Sequence, residues 1–225
     1  MQQLGLTFTK DRRGGPRAGA GRKRLPVQQR HTPHRSRAKH QAANPVHITL
    51  RSSVRSLRKQ FVVRTVLGAL RDSNTERFRI AHYSVQDNHL HLIVEADSKA
   101  ALSTGMRGLM VRLAKRVNKL LFRRGRFWAD RWHGNALTAP RQVRNALVYV
   151  LQNRKKHVFS EPRARISAVD QLSSARWFDG FADPIPTAPR HQEPPSVISP
   201  KTWLLRVGWR RHGLIRTSES PVSSH

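Results

Sequence analysis

Two histidines separated by one residue, His89 and His91, lie in an apolar run typical of a β-strand. Residues i and i+2 of a strand point to the same face, so both imidazoles would project side by side while Leu90 and Leu92 enter the core. Two adjacent imidazoles can bind a metal ion. In a chain with 12 histidines one such pair is close to what chance provides, so its meaning depends on its surroundings.

The second chemical group is Tyr149, on a predicted helix over residues 141–156. At about 100° per residue, Tyr149 lies off the apolar stripe of this helix. The amides on its side are Gln142, Asn145, Gln152 and Asn153. For this helix alone, an ordinary surface tyrosine is an equally good interpretation. Two histidines and an amide one turn from the tyrosine would, however, offer ligands suited to Mg²⁺ or Mn²⁺. Such an ion would polarise a phosphate that the phenol oxygen could attack.

Composition points to a polyanionic partner. The chain has 43 Lys and Arg against 13 Asp and Glu, a formal charge of +30, and a pI near 12.0. Nucleic acid is the leading partner, and an anionic membrane surface is the alternative. The absence of cysteine excludes disulfides, thiolate metal sites and cysteine nucleophiles. Without an apolar membrane span or a signal peptide, we expect a cytoplasmic, nucleoid-associated protein without membrane contact.

The elements that must position these groups alternate between strand and helix patterns. Ser53 is predicted to cap the first helix. The predicted strands cover residues 46–50, 78–85, 89–95 and 127–137, and the predicted helices cover 54–71, 99–122 and 141–156. This order predicts an α+β fold, a ferredoxin-like sandwich with a four-stranded antiparallel sheet and helices on one face. The added tyrosine-bearing helix could then reach the open face of the sheet.

The long helix predicted over residues 99–122 has an apolar stripe and a strongly basic remainder. No acidic residue interrupts the chain from Lys99 to Arg126, so phosphate binding is favoured over a merely solvated face. Trp128 and Trp132 could stack on bases. The predicted DNA-binding cations are Arg107, Arg112, Lys115, Arg116, Lys119, Arg123, Arg124 and Arg126.

Three regions are predicted along the chain. Residues 1–44 form a basic arm that lacks the apolar residues needed to fold and is expected to be disordered. Residues 45–158 form the catalytic domain. Residues 159–225 are a Pro-rich linker and a C-terminal tail. Within the tail, residues 203–209 form a short amphipathic segment, which we expect to dock onto the domain.

Three short motifs in this order resemble one protein family. His89-Leu90-His91 resembles the HUH motif (His, hydrophobic, His) of single-tyrosine transposases. The segment Trp128–Trp132 is similar to an aromatic-x-x-Arg-aromatic segment, and Tyr149–Asn153 to the tyrosine helix, of the REP-associated tyrosine transposase branch of the IS200-like family. The resemblance covers about residues 45–158.

By that resemblance, Tyr149 would be the nucleophile and His89 and His91 would be metal ligands. Asn153 would be the third ligand, although the residues alone do not decide between it and Gln152. The family implies a Mg²⁺ or Mn²⁺ cofactor and cleavage of single-stranded DNA near hairpins. Cleavage would leave a 5′-phosphotyrosine, which allows rejoining. The resemblance adds Arg131 to the DNA-binding cations and allows a homodimer.

Other features leave alternatives open. The branch usually has Pro after the Asn, whereas Arg154 begins a basic stretch here. Glu95 and His82 lie near the histidine pair in the strand pattern, and either could join the ligands. A non-catalytic hairpin DNA- or RNA-binding protein of the same fold would explain the charge equally well. A domesticated relative that binds hairpins without cutting, and a membrane-surface protein, are the further alternatives.

Overall fold

A computed structural model describes residues 39–158, 169–185 and 195–221, with the side chains of 154–158 excepted. The strands are β1 Val46–Arg51, β2 Phe78–Val85, β3 His89–Ala96 and β4 His133–Ala136. The helices are α1 Gln60–Arg71, α2 Lys99–Leu120, α3 Pro140–Val158 and α4 Trp203–Arg206, with short 3-10 helices at Ser174–Trp177 and Gly208–His212. Residues 1–38 of the basic arm predicted over residues 1–44, and the side chains of the basic stretch after Asn153, lie outside the described residues.

The four strands form one antiparallel sheet in the order β2-β3-β1-β4. This is the order that the ferredoxin-like prediction requires, and the predicted α+β class is confirmed. Alternation along the strands divides their side chains between two faces. Ile48, Leu50, Leu92 and Val94 belong to the core under α1 and α2, whereas Ile93 belongs to a second core under α3. The tyrosine-bearing helix therefore covers the face opposite the other two helices, as predicted.

Helix α2 follows its predicted apolar stripe closely. The buried residues of α2 are Leu102, Met106, Leu109, Leu113 and Val117. The Ser98 side chain caps the helix by accepting a hydrogen bond from the Ala101 amide. Gly105 lets α2 approach β2 closely, because a Cβ there would lie 2.2 Å from the Phe78 ring. These features fix α2 against the sheet and leave its charged sides exposed.

Two element boundaries differ from the predictions for tertiary reasons. The first helix begins at Gln60, not at Val54, because residues 52–57 are tied to neighbouring loops instead of winding into a turn. Ser53 caps no helix: its hydroxyl donates to the Arg126 carbonyl at 3.0 Å. The Leu57 amide donates to the Asp87 carbonyl at 2.9 Å. The fourth strand is limited to four residues, since the preceding segment meets the sheet only through the Trp128 bridge to Ser52.

The C-terminal described segment, residues 195–221, packs on α3 and on the edge of the sheet formed by β2, where the Ile198 amide donates to the Ile80 carbonyl at 3.1 Å. Trp209 is 1% exposed and belongs to the second core together with Leu147 and Val150 of α3. Arg144 of α3 donates to the Gly213 and Leu214 carbonyls and forms an ion pair with Glu219 at 2.8 Å. These contacts hold α3 against the sheet from its outer side.

The helices of the described segments do not include one that could cross a membrane, since none is both long and apolar enough.

Candidate active site

The register of β1 against β3 brings a third histidine to the predicted pair. Thr49 pairs with His91 and His47 pairs with Ile93, so these side chains share the sheet face under α3. The His89 and His91 ring centroids are 4.8 Å apart. His91 Nδ1 lies 3.2 Å from Thr49 Oγ1, and His89 Nδ1 lies 2.9 Å from Asn88 Oδ1. If Nδ1 is the protonated nitrogen in these two contacts, Nε2 of each ring carries the lone pair and is the atom that can bind a metal.

Tyr149 lies over these histidines from α3. Its ring centroid is 4.9 Å from that of His91 with the planes at 89°, and 5.5 Å from that of His47. The tyrosine side chain is half-buried. Burial raises the pKa of the Tyr149 phenol above its ordinary value of 10.0, so the phenol keeps its proton at neutral pH. The structure thus brings the predicted nucleophile into ring contact with His91, which in turn contacts the ring of His89.

A kink in α3 separates the two candidate amides. Gln152 has non-helical backbone angles (φ −124°, ψ 18°), and its Nε2 donates to the Arg216 carbonyl at 2.9 Å. Asn153 comes directly after the kink and is 0% exposed. Neither its Oδ1 nor its Nδ2 forms a hydrogen bond with any described residue. A buried amide without partners is costly, which indicates a site that a ligand completes.

The donors at this site fit a divalent cation. The described part of the chain holds no group of three or more His, Asp or Glu side chains arranged for a metal ion. Any ion bound beside the histidine pair would therefore need an amide or water oxygen as well. Asn153 Oδ1 is a buried oxygen of that kind, and oxygen together with imidazole suits Mg²⁺ or Mn²⁺.

His47 is the site residue that sequence reasoning missed. Its Nε2 is enclosed and forms no hydrogen bond with the described residues. Its ring centroid lies 5.5 Å from those of both His91 and Tyr149. Burial lowers the pKa of His47 to about 4, so the ring is neutral at physiological pH. The alternation of β1 indicated which face His47 occupies, but only the pairing of β1 with β3 places it beside His91.

Most of the predicted DNA-binding cations are not near Tyr149. Helix α2, with the exposed Arg107, Lys115 and Lys119, lies on the opposite face of the sheet from α3. The exposed Arg124 and Arg131 lie in the loop that leads from α2 to the edge strand β4. Any DNA that contacts both α2 and Tyr149 must therefore pass around the edge of the sheet.

Several of these cations already have protein partners. Arg116 pairs with Asp72 at the end of α1 at 2.7 Å, and this pairing lowers the pKa of Asp72. Asp72 lies outside the stretch from Lys99 to Arg126, so the sequence of that stretch does not reveal this partner. Arg112 donates to Ser73 at 2.6 Å, and Arg123 donates to Asn118 at 3.4 Å.

Trp128 is not available for base stacking. It is 9% exposed, and its Nε1 donates to the Met110 carbonyl at 2.9 Å. Trp132 is partly buried against the core under α1 and α2. The prediction that Trp128 stacks on bases is therefore wrong, because the packing of the loop turns this ring into the core.

Glu95 and His82, the two further candidate ligands, are held by other groups. Glu95 is 3% exposed, and its carboxylate accepts hydrogen bonds from the Lys201 and Thr202 amides at 2.6 and 2.8 Å. His82 Nδ1 lies 3.2 Å from Ser174 Oγ, and its ring packs edge-on against Phe178. Both side chains fasten later segments of the chain to the sheet.

His82 should make the fold sensitive to acid. Burial lowers its pKa from 6.5 to about 4, with a smaller opposing effect of Asp179. The unfolded state then binds a proton first, so stability falls as the pH drops below about 6.5. At pH 5 the loss due to His82 is about 2 kcal/mol. Denaturant unfolding at pH 7.5 and pH 5 measures the free energy of unfolding lost on acidification. We expect this loss to be about 2 kcal/mol smaller in His82→Gln than in the unaltered protein. An equal loss in both proteins would contradict the assignment.

The comparisons with known proteins agree with this geometry. Residues 46–153 match the family described as "Transposase IS200 like". A solved structure of a REP-associated tyrosine transposase bound to a REP hairpin is similar, with a TM-score of 0.50 and 14% identity over 64% of this chain and 82% of that one. No curated protein matches the chain. The matched region starts with β1 and ends at Asn153, and thus spans the sheet, the three histidines and Tyr149. The domain formed by residues 46–153 belongs to the IS200-like transposase family.

Proposed function

We propose that this protein is a transposase that cleaves and rejoins single-stranded DNA through a 5′-phosphotyrosine intermediate. The observation that carries the proposal is the contact between the Tyr149 ring and His91, with the buried Asn153 amide one turn further along α3. The proposed nucleophile contacts His91, His91 contacts His89, and the proposed amide ligand follows Tyr149 by four residues on the same helix. This set of groups suits an attack on a phosphodiester.

His89, His91 and Asn153 would hold the metal ion, Mg²⁺ or Mn²⁺. When bound, the ion would act as a Lewis acid that polarises the scissile phosphate. The orientation of the two rings is supported by Thr49 and Asn88, which contact their Nδ1 atoms. Such contacts fix the rotation and tautomer of ligating imidazoles. Asn153 is favoured over Gln152 because the hydrogen bond from Gln152 Nε2 to the Arg216 carbonyl directs that amide to the C-terminal segment, whereas neither polar atom of Asn153 has a partner among the described residues.

In the proposed step, Tyr149 Oη attacks the phosphorus atom, and a bond forms between the two. The bond from phosphorus to the 3′-oxygen breaks, and that oxygen takes up a proton to become a 3′-hydroxyl. The phenol loses its proton in the same step. Because the pKa of Tyr149 is raised, the phenol does not lose this proton before the attack. A 3′-hydroxyl can reverse the reaction by attacking the phosphotyrosine. The phosphotyrosine bond replaces the broken phosphodiester bond of the DNA and keeps its energy. Rejoining therefore needs no external energy source.

Hairpin-flanked single-stranded DNA is the proposed substrate. The similar solved transposase is bound to a REP hairpin. The formal charge of +30 suits a polyanion, and the exposed Arg124 and Arg131 lie in the loop beside the edge of the sheet. A non-catalytic DNA-binding protein is the second candidate, favoured by the position of the α2 cations on the face opposite Tyr149.

A covalent trapping assay tests the proposal. The full chain is incubated with a hairpin-flanked single-stranded oligonucleotide, labelled at either end, with Mg²⁺, with Mn²⁺ or with a chelator. We expect a denaturation-resistant adduct that retains the label 3′ to the cut, and we expect this adduct to require the metal. Adduct formation unaffected by the chelator would contradict the metal requirement. Tight binding with no adduct under either metal would favour the non-catalytic alternative.

A further inference from the structure

The most exposed large apolar side chain in the described residues is Phe122, which follows the end of α2. It is 98% exposed, whereas the other exposed phenylalanine, Phe61, is 51% exposed. Its backbone is left-handed, with φ at 49°, a conformation that bulky residues rarely adopt. Neither packing nor local propensity explains an exposed aromatic ring on a residue with an unfavourable backbone conformation. Such a residue is therefore a candidate for a functional role.

The loop around Phe122 is a built structure. The Phe122 amide donates to the Lys119 carbonyl at 3.2 Å, and the Arg123 amide donates to the Asn118 carbonyl at 2.8 Å. Asn118 Nδ2 donates to the carbonyl of Gly125, whose φ is 91°. The chain thus turns sharply at the end of α2, and these bonds fix the turn with the Phe122 ring at its tip.

Three arginines follow this tip along the chain. Arg123, Arg124 and Arg126 follow Phe122 within four residues, and the chain contains no Asp or Glu from Lys99 to Ala129. Arg126 is anchored at the base of the loop, where its guanidinium donates to the Trp128 and Ala129 carbonyls at 2.6 and 2.8 Å. A flat apolar ring next to a basic stretch of chain is complementary to a base attached to a phosphate backbone.

We propose that Phe122 is a stacking platform for an unpaired DNA base next to the hairpin. The proposal deepens the proposed function and rests on its DNA-binding part. The ring packs against the face of one base while the neighbouring arginines contact the flanking phosphates. Bases inside a duplex are already stacked on both faces, whereas an unpaired base can offer its face to Phe122 without breaking base pairs. In this proposal Phe122 provides the base stacking that was predicted for Trp128.

The test measures binding without cleavage. All proteins carry Tyr149→Phe, and fluorescence anisotropy gives the dissociation constant for a hairpin with a single-stranded flank and for a blunt duplex of equal length. We expect Phe122→Ala to weaken binding of the flanked hairpin about 5- to 150-fold, the range that loss of one base–aromatic stack gives. Blunt-duplex binding should be unchanged. Phe122→Trp should restore binding of the flanked hairpin.

Phe61→Ala is the matched control, because it removes an exposed phenylalanine from α1 instead. It should leave both dissociation constants unchanged, and neither alanine variant should lower the unfolding temperature greatly. An equal loss for duplex and flanked hairpin, or no loss for either, would overturn the stacking proposal. If the protein with native Tyr149 forms no adduct while Phe122→Ala still weakens flanked-hairpin binding, the cleavage proposal fails and the stacking proposal stands.

Discussion

The variant Tyr149→Phe is expected to form no covalent adduct with hairpin-flanked single-stranded DNA. The substitution removes only Oη, and the ring can keep its position 4.9 Å from that of His91. Loss of a nucleophile of this kind lowers the rate by about a thousandfold or more. DNA affinity should be preserved, because the proposed role of the phenol oxygen is to attack the phosphate and not to bind the DNA. Denaturing gel electrophoresis after incubation with Mn²⁺ measures the adduct.

Tyr83→Phe is the matched control, since Tyr83 is the other of the two tyrosines in the chain. It is 1% exposed and belongs to the core under α1 and α2. This variant should therefore form the adduct at a rate close to that of the unaltered protein. An adduct that persists in Tyr149→Phe but disappears in Tyr83→Phe would overturn the proposed active site.

The variant Asn153→Leu is expected to change metal binding and stability in opposite directions. Without metal, the buried Asn153 amide forms no hydrogen bond with the described residues. Replacing it by an apolar side chain of similar size should stabilise the metal-free protein by about 1–2 kcal/mol. With Mn²⁺, the lost oxygen ligand should weaken metal affinity about 100-fold or more, beyond the 10- to 100-fold known for outer-shell partners.

Two measurements separate these effects. Electron paramagnetic resonance of Mn²⁺ titrations gives metal affinity, and denaturant unfolding with and without Mn²⁺ gives stability. Asn145→Leu is the matched control, because Asn145 is an exposed amide on the same helix. It should leave both quantities near their original values. Unchanged Mn²⁺ affinity in Asn153→Leu would contradict the assignment of Asn153 as a ligand, whatever happens to stability.

The sequence predicted best what local patterns determine. The apolar spacing of α2 predicted the residues that the structure buries, from Leu102 to Val117. The predicted start of α1 was wrong because Ser53 and Leu57 are held by hydrogen bonds to residues distant along the chain. No local pattern contains that information, and the same reason accounts for the Arg116–Asp72 pair.

The candidate site shows the same division. His89, His91 and Tyr149 could be proposed from spacing and resemblance, and the structure brings their rings together. His47 could not, because its place depends on strand pairing over more than 40 residues of chain. The proposed choice of Asn153 over Gln152 rests on the helix kink and on the hydrogen bond to the Arg216 carbonyl, which a regular helix with 3.6 residues per turn does not reveal.

The anchoring of α3 by Arg144 and by residues 195–221 has a kinetic consequence. Tyr149 meets His91 of its own chain, and Arg144 holds α3 to Gly213, Leu214 and Glu219 of that chain as well. The encounter between the proposed nucleophile and the proposed metal ligands is therefore unimolecular, and dilution does not reduce its probability. For the proposed cleavage, each polypeptide is a complete cutting unit whose rate per molecule is independent of protein concentration once DNA is bound.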